Sequence, residues 1–256
     1  MKLTLLILSL FFAATVAAQT VIAPNNPNIL VEGRTINKNN VLHFCYPGTA
    51  FTIKFDGSGS LSAKLKANAG YYAVSVDGGG FKKFSTHGYD DGIREFELAK
   101  CAAGEHTVKL MLVTEAYQVF PEFHGFVLGS GAKVLKVDTK KRPKIEFIGN
   151  SITCGYGNEA QSENDHFADS TSNFAKSFAG ITIKNLNAIS MVVARSGIGI
   201  YKNYGDTIIG SRWPMPRVYE NALINDTTTK WDFSSYKPDV VVIGLGTNDL
   251  SENNYN

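Results

Sequence analysis

The sequence is poor in cysteine and carries almost no excess charge of either sign. Only 3 of its 256 residues are cysteine, and the formal net charge is +2 with the Lys and Arg residues spread along the chain. Binding to nucleic acid requires a concentrated basic surface, so we exclude nucleic acid as a partner. No Cys or His cluster has the spacing of metal ligands. The sequence therefore predicts no metal site.

Long hydrophobic runs are absent except at the N-terminus. Lys2 is followed by apolar residues from Leu3 to Ala14, and small residues precede Gln19. This run is shorter than the ~20 residues that a membrane-spanning helix needs. The layout is that of a secretory signal peptide. We expect residues 1–18 to be removed, the protein to be secreted, and stable membrane insertion not to occur.

Three cysteines in an exported chain allow at most one disulfide. Cys45 and Cys101 fall in the same half of the sequence and are the one plausible pair, with Cys154 left over. Two separately buried thiols are the alternative, and the sequence does not decide between them. Asn225 begins a glycosylation sequon, which has a meaning only in a eukaryotic host.

Hydrophobic residues alternate with polar ones through the first half of the chain. Phe51, Ile53 and Phe55 alternate with Thr52 and Lys54, and the pattern continues in further short segments separated by Gly-rich turns. A period of two indicates half-buried strands. Short strands at this spacing are typical of an antiparallel sandwich of the jelly-roll kind. We therefore predict an all-β domain over residues 19–140.

The second half of the chain has a different pattern of hydrophobic residues. After a basic connector at residues 140–144, short apolar runs occur at residues 145–148, 189–194 and 240–243, separated by long mixed stretches. Such runs are expected of strands that are buried on both faces of a parallel sheet. The sequence therefore predicts a second, α/β domain over residues 141–256.

Polar residues follow each of the three predicted strands. Ser151 comes after the first, Ser196-Gly197 after the second and Asn248 after the third. Catalytic groups gather at the carboxyl ends of strands in open α/β sheets. The chain lacks the G-x-S-x-G elbow of α/β-hydrolases, so that triad geometry is not supported.

The three strand ends carry motifs of a known superfamily. IEFIGNSITCGYG, ARSGIGIYKNYG and YKPDVVVIGLGTNDLS resemble blocks one, two and three of the GDSL/SGNH hydrolases. Together with RWPMPRVYE, they resemble the second carbohydrate esterase family, in which a small jelly roll precedes an SGNH domain. The resemblance implies a carboxylic ester hydrolase that removes O-acetyl groups from plant cell-wall polysaccharides such as xylan or mannan.

The resemblance also implies roles for individual residues. Ser151 would be the nucleophile, and its own N–H, the N–H of Gly197 and the Asn248 amide would form the oxyanion hole. Gly199 is the alternative to Gly197. Asn150 stands where the superfamily usually has Asp, which removes a charge but leaves the nucleophile in place.

Three further residues near the motifs are predicted from their type alone. Thr153 and Cys154 are expected to pack beneath the nucleophile loop. Asp249 is expected to cap a helix.

Aromatic residues near the motifs can stack on sugar rings. Core packing is the simpler interpretation for all four candidates, which are Tyr156, Tyr201, Tyr204 and Trp213. Trp213 and Tyr201 are our candidate substrate-binding residues, Trp213 first because Arg212 and Pro214 indicate an exposed loop.

The catalytic base is missing from the sequence. In this superfamily a His in a late Asp-x-x-His block takes the proton of the serine, and the chain has no such block. Its histidines are His43, His87, His106, His124 and His166. We therefore expect the α/β domain to be incomplete at its C-terminus and the chain alone to be inactive. Two alternatives stay open: an esterase for another ester, and a carbohydrate-binding protein that does not cut.

Overall fold

The computed structural model describes residues 19–206 and 210–251. The predicted signal peptide, residues 1–18, lies outside the described residues. The described chain contains one ten-stranded sheet and one three-stranded sheet. It thus has an N-terminal β-rich domain followed by an α/β domain with a parallel sheet. The boundary predicted near residue 140 falls in a stretch without helix or strand.

Ten antiparallel strands form the N-terminal domain. They are β1 (Thr20–Ile22), β2 (Leu30–Glu32), β3 (Ile36–Lys38), β4 (Val41–His43), β5 (Ala50–Lys66), β6 (Tyr71–Val76), β7 (Lys82–Ser85), β8 (Ile93–Leu112), β9 (Glu122–Leu128) and β10 (Lys133–Leu135).

The long strands β5 and β8 organise this domain. They pair along most of their length, and their register shifts near Gly57 and Leu61, where bulges let a strand bend. The predicted inward residues Phe51, Ile53 and Phe55 are at most 1% exposed. Phe51 stacks on Phe123 with ring centroids 4.1 Å apart. Burial of each such ring stabilises the fold by about 1.5–3 kcal/mol.

Half-buried strands would leave the opposite face of this β-sheet open to solvent. Part of that face is instead covered. Ala73 and Met111 lie on that face and are 0% and 2% exposed, because they pack against Phe147 and Val192 of the second domain. Thr52, expected to point to water, is only 5% exposed. The alternation of the sequence was correct, but it could not indicate that the second face is covered by the other domain.

Within residues 144–206 and 210–251, the second domain contains three parallel strands and three short α-helices. These elements are β11 (Lys144–Gly149), α1 (Ser151–Cys154), α2 (Phe178–Asn185), β12 (Ile189–Ala194), α3 (Met215–Val218) and β13 (Val240–Gly244). The strand order is β12-β11-β13, and both pairings of β11 are parallel. All three strands predicted from apolar runs are confirmed.

One of these predictions was wrong in part. β11 and β12 are largely buried, but Val240, Val241 and Ile243 of β13 are 50%, 48% and 65% exposed. β13 lies at the edge of the sheet, and within residues 19–206 and 210–251 no helix packs over it. An apolar run therefore identified the strand but not its burial.

A buried arginine joins the two domains. Arg34 of the β-rich domain is 0% exposed, and its guanidinium lies 3.3 Å from Glu146 of β11. It also donates to the carbonyl oxygens of Tyr219 and Asn221. The Tyr219 hydroxyl donates to the same Glu146 carboxylate. A buried charge is tolerated only when it is paired in this way.

A second ion-pair cluster spans the domains at the surface. Lys83 of β7 lies 2.8 Å from Glu159, which Lys176 also contacts at 2.7 Å. Partial burial alone would raise the pKa of Glu159, but Lys176, Lys83 and the Asn173 amide outweigh it and lower this pKa to about 2. Glu159 is therefore charged at neutral pH and links the two domains.

The three cysteines are free thiols. The alternative of a Cys45–Cys101 disulfide is thus wrong for this structure. Cys45 is fully buried, and burial raises its pKa to about 12 although the N–H of Ile224 donates to its sulfur. Burial also raises the pKa of Cys154 well above its usual value. Cys101 is half-buried on β8.

Arg34→Met is expected to lower the free energy of unfolding by about 3–5 kcal/mol, because it leaves Glu146 buried and uncompensated. The matched control is Arg94→Met, which removes an exposed pair with Asp90 and should cost less than about 1 kcal/mol. Chemical denaturation of both variants measures the difference. Equal losses would show that Arg34 contributes no more than a surface charge.

Thiol titration with an aromatic disulfide reagent should distinguish the cysteines. In the native protein we expect Cys101 to react and Cys45 and Cys154 to be protected, since buried protonated thiols are poor nucleophiles. All three should react after denaturation. Rapid labelling of Cys154 in the native state would contradict the packing described above.

Candidate active site

The register of the parallel sheet brings three strand ends together. Gly149, the last residue of β11, pairs with Ala194 on one side and with Gly244 on the other. The segments that follow these residues start from the same edge of the sheet. Ser151, the Ser196-Gly197 loop and Asn248 lie in those segments, as the sequence predicts for a site at the carboxyl ends of the strands.

Ser151 is the first residue of α1, directly after β11. Asn150 caps this helix in an extended conformation, and its side chain accepts from the N–H of Ile152 at 3.1 Å. Ser151 is half-buried. Neither its hydroxyl nor its N–H is engaged in a hydrogen bond with another described residue. Asn150, in place of the usual Asp, thus keeps the capping function without a charge.

Two small buried residues support the turn that carries Ser151. Thr153 and Cys154 are each 1% exposed, which confirms the prediction that they pack beneath it. A Cβ atom on Gly149 would lie 1.9 Å from the Thr153 hydroxyl oxygen. Glycine is therefore required at the end of β11, because the turn packs directly on the strand.

The structure separates Gly197 from its alternative Gly199. Gly197 has φ +78°, and its N–H makes no hydrogen bond within the described part of the chain. The Gly199 N–H donates to the Asn203 side chain at 3.0 Å, and a Cβ there would lie 2.0 Å from the Lys202 carbonyl oxygen. The Gly199 N–H is thus already hydrogen-bonded within the protein, and of the two N–H groups that of Gly197 is the one available to a ligand.

The side chain of Asn248 links the segment after β13 to the segment after β12. It is 7% exposed, and its side-chain amide donates to the Ile198 carbonyl at 2.7 Å. An amide has two hydrogens, so a second donor is left over. The side-chain oxygen accepts no hydrogen bond from the described residues, so Asn248 does not form an Asx-turn.

Asp249 does not cap a helix, and that prediction was wrong. Its carboxylate accepts from the backbone N–H groups of Ile200, Tyr201 and Lys202 at 2.9, 2.6 and 3.0 Å. Burial raises the pKa of Asp249, but these three donors outweigh it and hold the pKa below its usual value. Asp249 fixes the loop that follows Gly197, a role that depends on two segments about fifty residues apart in the chain.

Sequence reasoning missed Glu115, which comes from the β-rich domain. Its carboxylate accepts from the N–H of Ser196 at 2.5 Å and from the Ser196 hydroxyl. Nearby, the Tyr117 hydroxyl donates to the Ala194 carbonyl at 2.5 Å. Glu115 thus engages the Ser196 N–H and leaves that of Gly197 unpaired. No pattern in the sequence links an acid after β8 to a loop eighty residues later.

The aromatic residues near the motifs are not core residues, so the simpler interpretation was wrong. Their exposed fractions are 44% for Tyr156, 60% for Tyr201, 70% for Tyr204 and 40% for Trp213. Trp213 lies beneath the Arg212 guanidinium and lines a cavity of about 310 Å³ together with Gly197. Of the two candidate substrate-binding residues, Trp213 lines this cavity and Tyr201 does not.

None of the five histidines is hydrogen-bonded to Ser151. His43, His106 and His124 are on strands of the β-rich domain, and His87 follows β7. His166 is exposed in an irregular segment after α1. All five lie within the described residues.

Among residues 19–206 and 210–251, no group of three or more His, Cys, Asp or Glu side chains is placed to hold a metal ion. In the same residues, no helix has both the length and the apolar character needed to cross a bilayer.

Known proteins resemble both domains. The family described as Carbohydrate esterase 2 N-terminal matches residues 31–137, and GDSL-like Lipase/Acylhydrolase matches residues 145–256. The chain is 36% identical over 231 residues to the cellulase/esterase CelE of Acetivibrio thermocellus, covering 89% of this chain and 27% of that protein. It is 32% identical over 210 residues to an acetylxylan esterase / glucomannan deacetylase of Cellvibrio japonicus, covering 81% and 56%. The chain thus spans about a quarter and a little over half of these two relatives.

A solved structure agrees with this similarity. A family two carbohydrate esterase from Clostridium thermocellum, in complex with cellohexaose, is 35% identical with a TM-score of 0.78, covering 87% of this chain and 67% of that one. The matches extend through both domains and include all three strand ends. The chain therefore belongs to carbohydrate esterase family 2, within the GDSL/SGNH hydrolases.

Proposed function

We propose that the protein is a secreted serine esterase that removes O-acetyl groups from plant cell-wall polysaccharides of the xylan or mannan type. Its similarity to acetylxylan esterases supports this substrate class. The observation that carries the proposal is the shared edge of the parallel sheet. There Ser151 follows one strand, and Asn248 binds the loop of Gly197 through the Ile198 carbonyl.

The proposed chemistry is acyl transfer. The Ser151 hydroxyl oxygen attacks the acetyl carbonyl, and its proton passes to a base. The N–H groups of Ser151 and Gly197 and the free amide hydrogen of Asn248 stabilise the oxyanion. Collapse of the tetrahedral intermediate releases the sugar hydroxyl, and water then hydrolyses the acetyl-Ser151 ester. The reaction assigned to these residues involves no cofactor.

No base that would take the Ser151 proton has been identified among the described residues. A serine that keeps its proton is a weak nucleophile, so we propose that the chain by itself has little or no activity. His166 is exposed and makes no hydrogen bond to Ser151, which argues against it as a substitute base.

The second candidate function is carbohydrate binding without cleavage. The absence of any histidine contact to Ser151 within the described chain favours it. An esterase for a lipid, a thioester or another glycan ester is less well supported, because the cavity beside Gly197 is lined by Arg195, Asn203 and Asp206 and offers no broad apolar groove.

We further propose the domain division given by the sequence: a signal peptide at 1–18, a jelly roll at 19–140 and an SGNH domain at 141–256. The pairing of the β-rich strands through β5 and β8 supports a bent antiparallel sandwich.

Ser151-dependent acetate release should appear when a base is supplied from solution. We expect acetylated xylo-oligosaccharides to be deacetylated slowly by the chain alone and faster with added imidazole, which can take the serine proton. Ser151→Ala should abolish the imidazole-dependent part without changing the melting temperature, because a half-buried hydroxyl leaves no cavity. Released acetate is measured by NMR.

Two controls make this result interpretable. Imidazole alone with Ser151→Ala gives the uncatalysed background, and mass spectrometry of the intact protein should find an acetyl group on the native chain only. Imidazole-dependent release at equal rates in both proteins would exclude Ser151 as the nucleophile. His166→Ala should leave the rate unchanged.

Asn248→Ala is expected to lower kcat of the Ser151-dependent reaction by about 10²–10³ with little effect on KM, since one oxyanion donor is lost. Asn248→Asp keeps the size of the side chain but removes both donor hydrogens, so it should be at least as damaging. Initial rates over a range of substrate concentrations separate kcat from KM. A change confined to KM would make Asn248 a ground-state binding residue.

A further inference from the structure

A cavity of about 500 Å³ lies between the two domains, apart from the candidate active site. The β-rich domain contributes Lys109 and Met111 to its lining, and the α/β domain contributes Ile183 and Ala188. None of its lining residues also lines the cavity beside Gly197. We call this space the α2 cavity, because helix α2 forms one of its walls.

The α2 cavity lies at the opposite end of the parallel strands from Ser151. Ala188 directly precedes β12, and Arg142 donates to the carbonyl oxygens of Asn187 and Ala188 at 2.9 and 3.2 Å. Ser151 instead follows the end of β11. Strands β11 and β12 each have six residues, which corresponds to a length of roughly 15–20 Å. A small ligand in the α2 cavity would therefore not reach the serine.

The inner wall of the α2 cavity is apolar. Met111 and Ile183 are 2% and 3% exposed, and Phe81 packs against the same hydrophobic cluster. Thr52 also lines the cavity and is 5% exposed, yet its hydroxyl makes no hydrogen bond with another described residue. A buried hydroxyl without a partner costs free energy, which a ligand with a polar group would recover.

The charged residues of the lining are mostly positive. One carboxylate, that of Asp138, lines the cavity together with five cationic side chains, which are Lys54, Lys109, Lys136, Arg142 and Lys184. The whole chain has a formal net charge of only +2. The α2 cavity is therefore a local concentration of positive charge, which favours an anionic ligand.

Three of these five cations are neutralised in part by carboxylates. The Lys54 ammonium lies 2.6 Å from Glu105. The buried Glu32 carboxylate lies 2.6 Å from Lys109 and 4.0 Å from Arg142.

The other two cations have no such partner. Lys136 and Lys184 are exposed and form no ion pair with another described residue. An anion that contacts their ammonium groups would gain charge-assisted hydrogen bonds without breaking an existing ion pair. Because these exposed side chains belong to the lining, the cavity also opens to solvent where they stand.

Volume and lining together restrict the ligand. A space of this size is in the usual range of small-molecule sites, which combine an apolar wall with a few polar groups. A small inorganic anion would leave the apolar wall uncovered, and a neutral apolar molecule would leave the two lysines unpaired. A monocarboxylate that carries a ring or a short alkyl chain matches both parts of the lining.

We propose that the α2 cavity binds a small monocarboxylate with an apolar body. The carboxylate contacts Lys136 and Lys184, and the apolar body covers Met111 and Ile183. This site is additional to the ester-hydrolysis site and does not depend on it. Since both domains line the cavity, a bound ligand stabilises their association and raises the melting temperature.

Calorimetric titration of the full chain with 3-phenylpropionate tests the proposal. Two matched compounds separate charge from apolar surface: 3-phenylpropan-1-ol keeps the ring and lacks the charge, and acetate keeps the charge and lacks the ring. Each should bind at least about tenfold more weakly than 3-phenylpropionate. Equal affinity of either compound would overturn the proposal, as would failure of 3-phenylpropionate to bind at about 10 mM.

Variants of the two unpaired lysines test where the ligand binds. Lys136→Gln/Lys184→Gln should weaken binding of 3-phenylpropionate by about tenfold or more, because both ammonium groups are lost. The matched control is Lys133→Gln/Lys237→Gln, which removes the same charge from two exposed lysines outside the cavity. This control should bind within about threefold of the native chain.

Melting temperatures without ligand confirm that each variant is folded, and those with saturating 3-phenylpropionate give a second measure of binding. Ser151→Ala should bind the ligand and gain melting temperature like the native chain, which keeps this test independent of the esterase activity. Unchanged affinity in folded Lys136→Gln/Lys184→Gln would overturn the proposal. Loss of binding in Trp213→Ala would place the ligand in the cavity beside Gly197 and would overturn it as well.

Discussion

The position of β11 between two parallel partners is the constraint on which the site depends. A single residue, Gly149, is in register with the ends of both neighbouring strands. A shift of one residue in either pairing would turn the following loop to the other face of the sheet. The packing of Thr153 against Gly149 leaves no space for a side chain there, so the turn that carries Ser151 and the sheet edge are held as one unit.

The β-rich domain is a structural part of this site. Glu115 holds the Ser196 loop from one side, and Asp249 holds residues 200–202 from the other. The loop that carries Gly197 is thereby clamped by carboxylates from both domains. Hydrogen bonds from residues that do not themselves touch a ligand hold the hydrogen-bond donors of a site in position before a substrate arrives. Carbohydrate esterase family 2 combines the two domains in one chain, and these contacts give a physical reason.

How well the sequence predicts a feature depends on how far apart in the chain the interacting residues lie. Local periodicity decides the bounds of β11, β12 and β13 and the burial of the inward residues of β5. The sequence predicted those strand bounds to within one residue, and it predicted that burial correctly. Asp249, Glu115 and the covered face at Ala73 depend on partners far along the chain, so no local pattern could reveal them. The exposure of Tyr156 and Tyr204 was missed for the same reason, since burial is decided by the elements that fold over a residue.

The buried Arg34 has a consequence for the order of folding. Its carbonyl partners Tyr219 and Asn221 lie 185 and 187 residues later in the chain. During synthesis the β-rich strands can pair long before these partners exist, and until then the guanidinium must remain hydrated. Closing such a long loop is entropically costly and slow. The buried cluster around Arg34 therefore cannot be completed until the chain has been synthesised through Asn221.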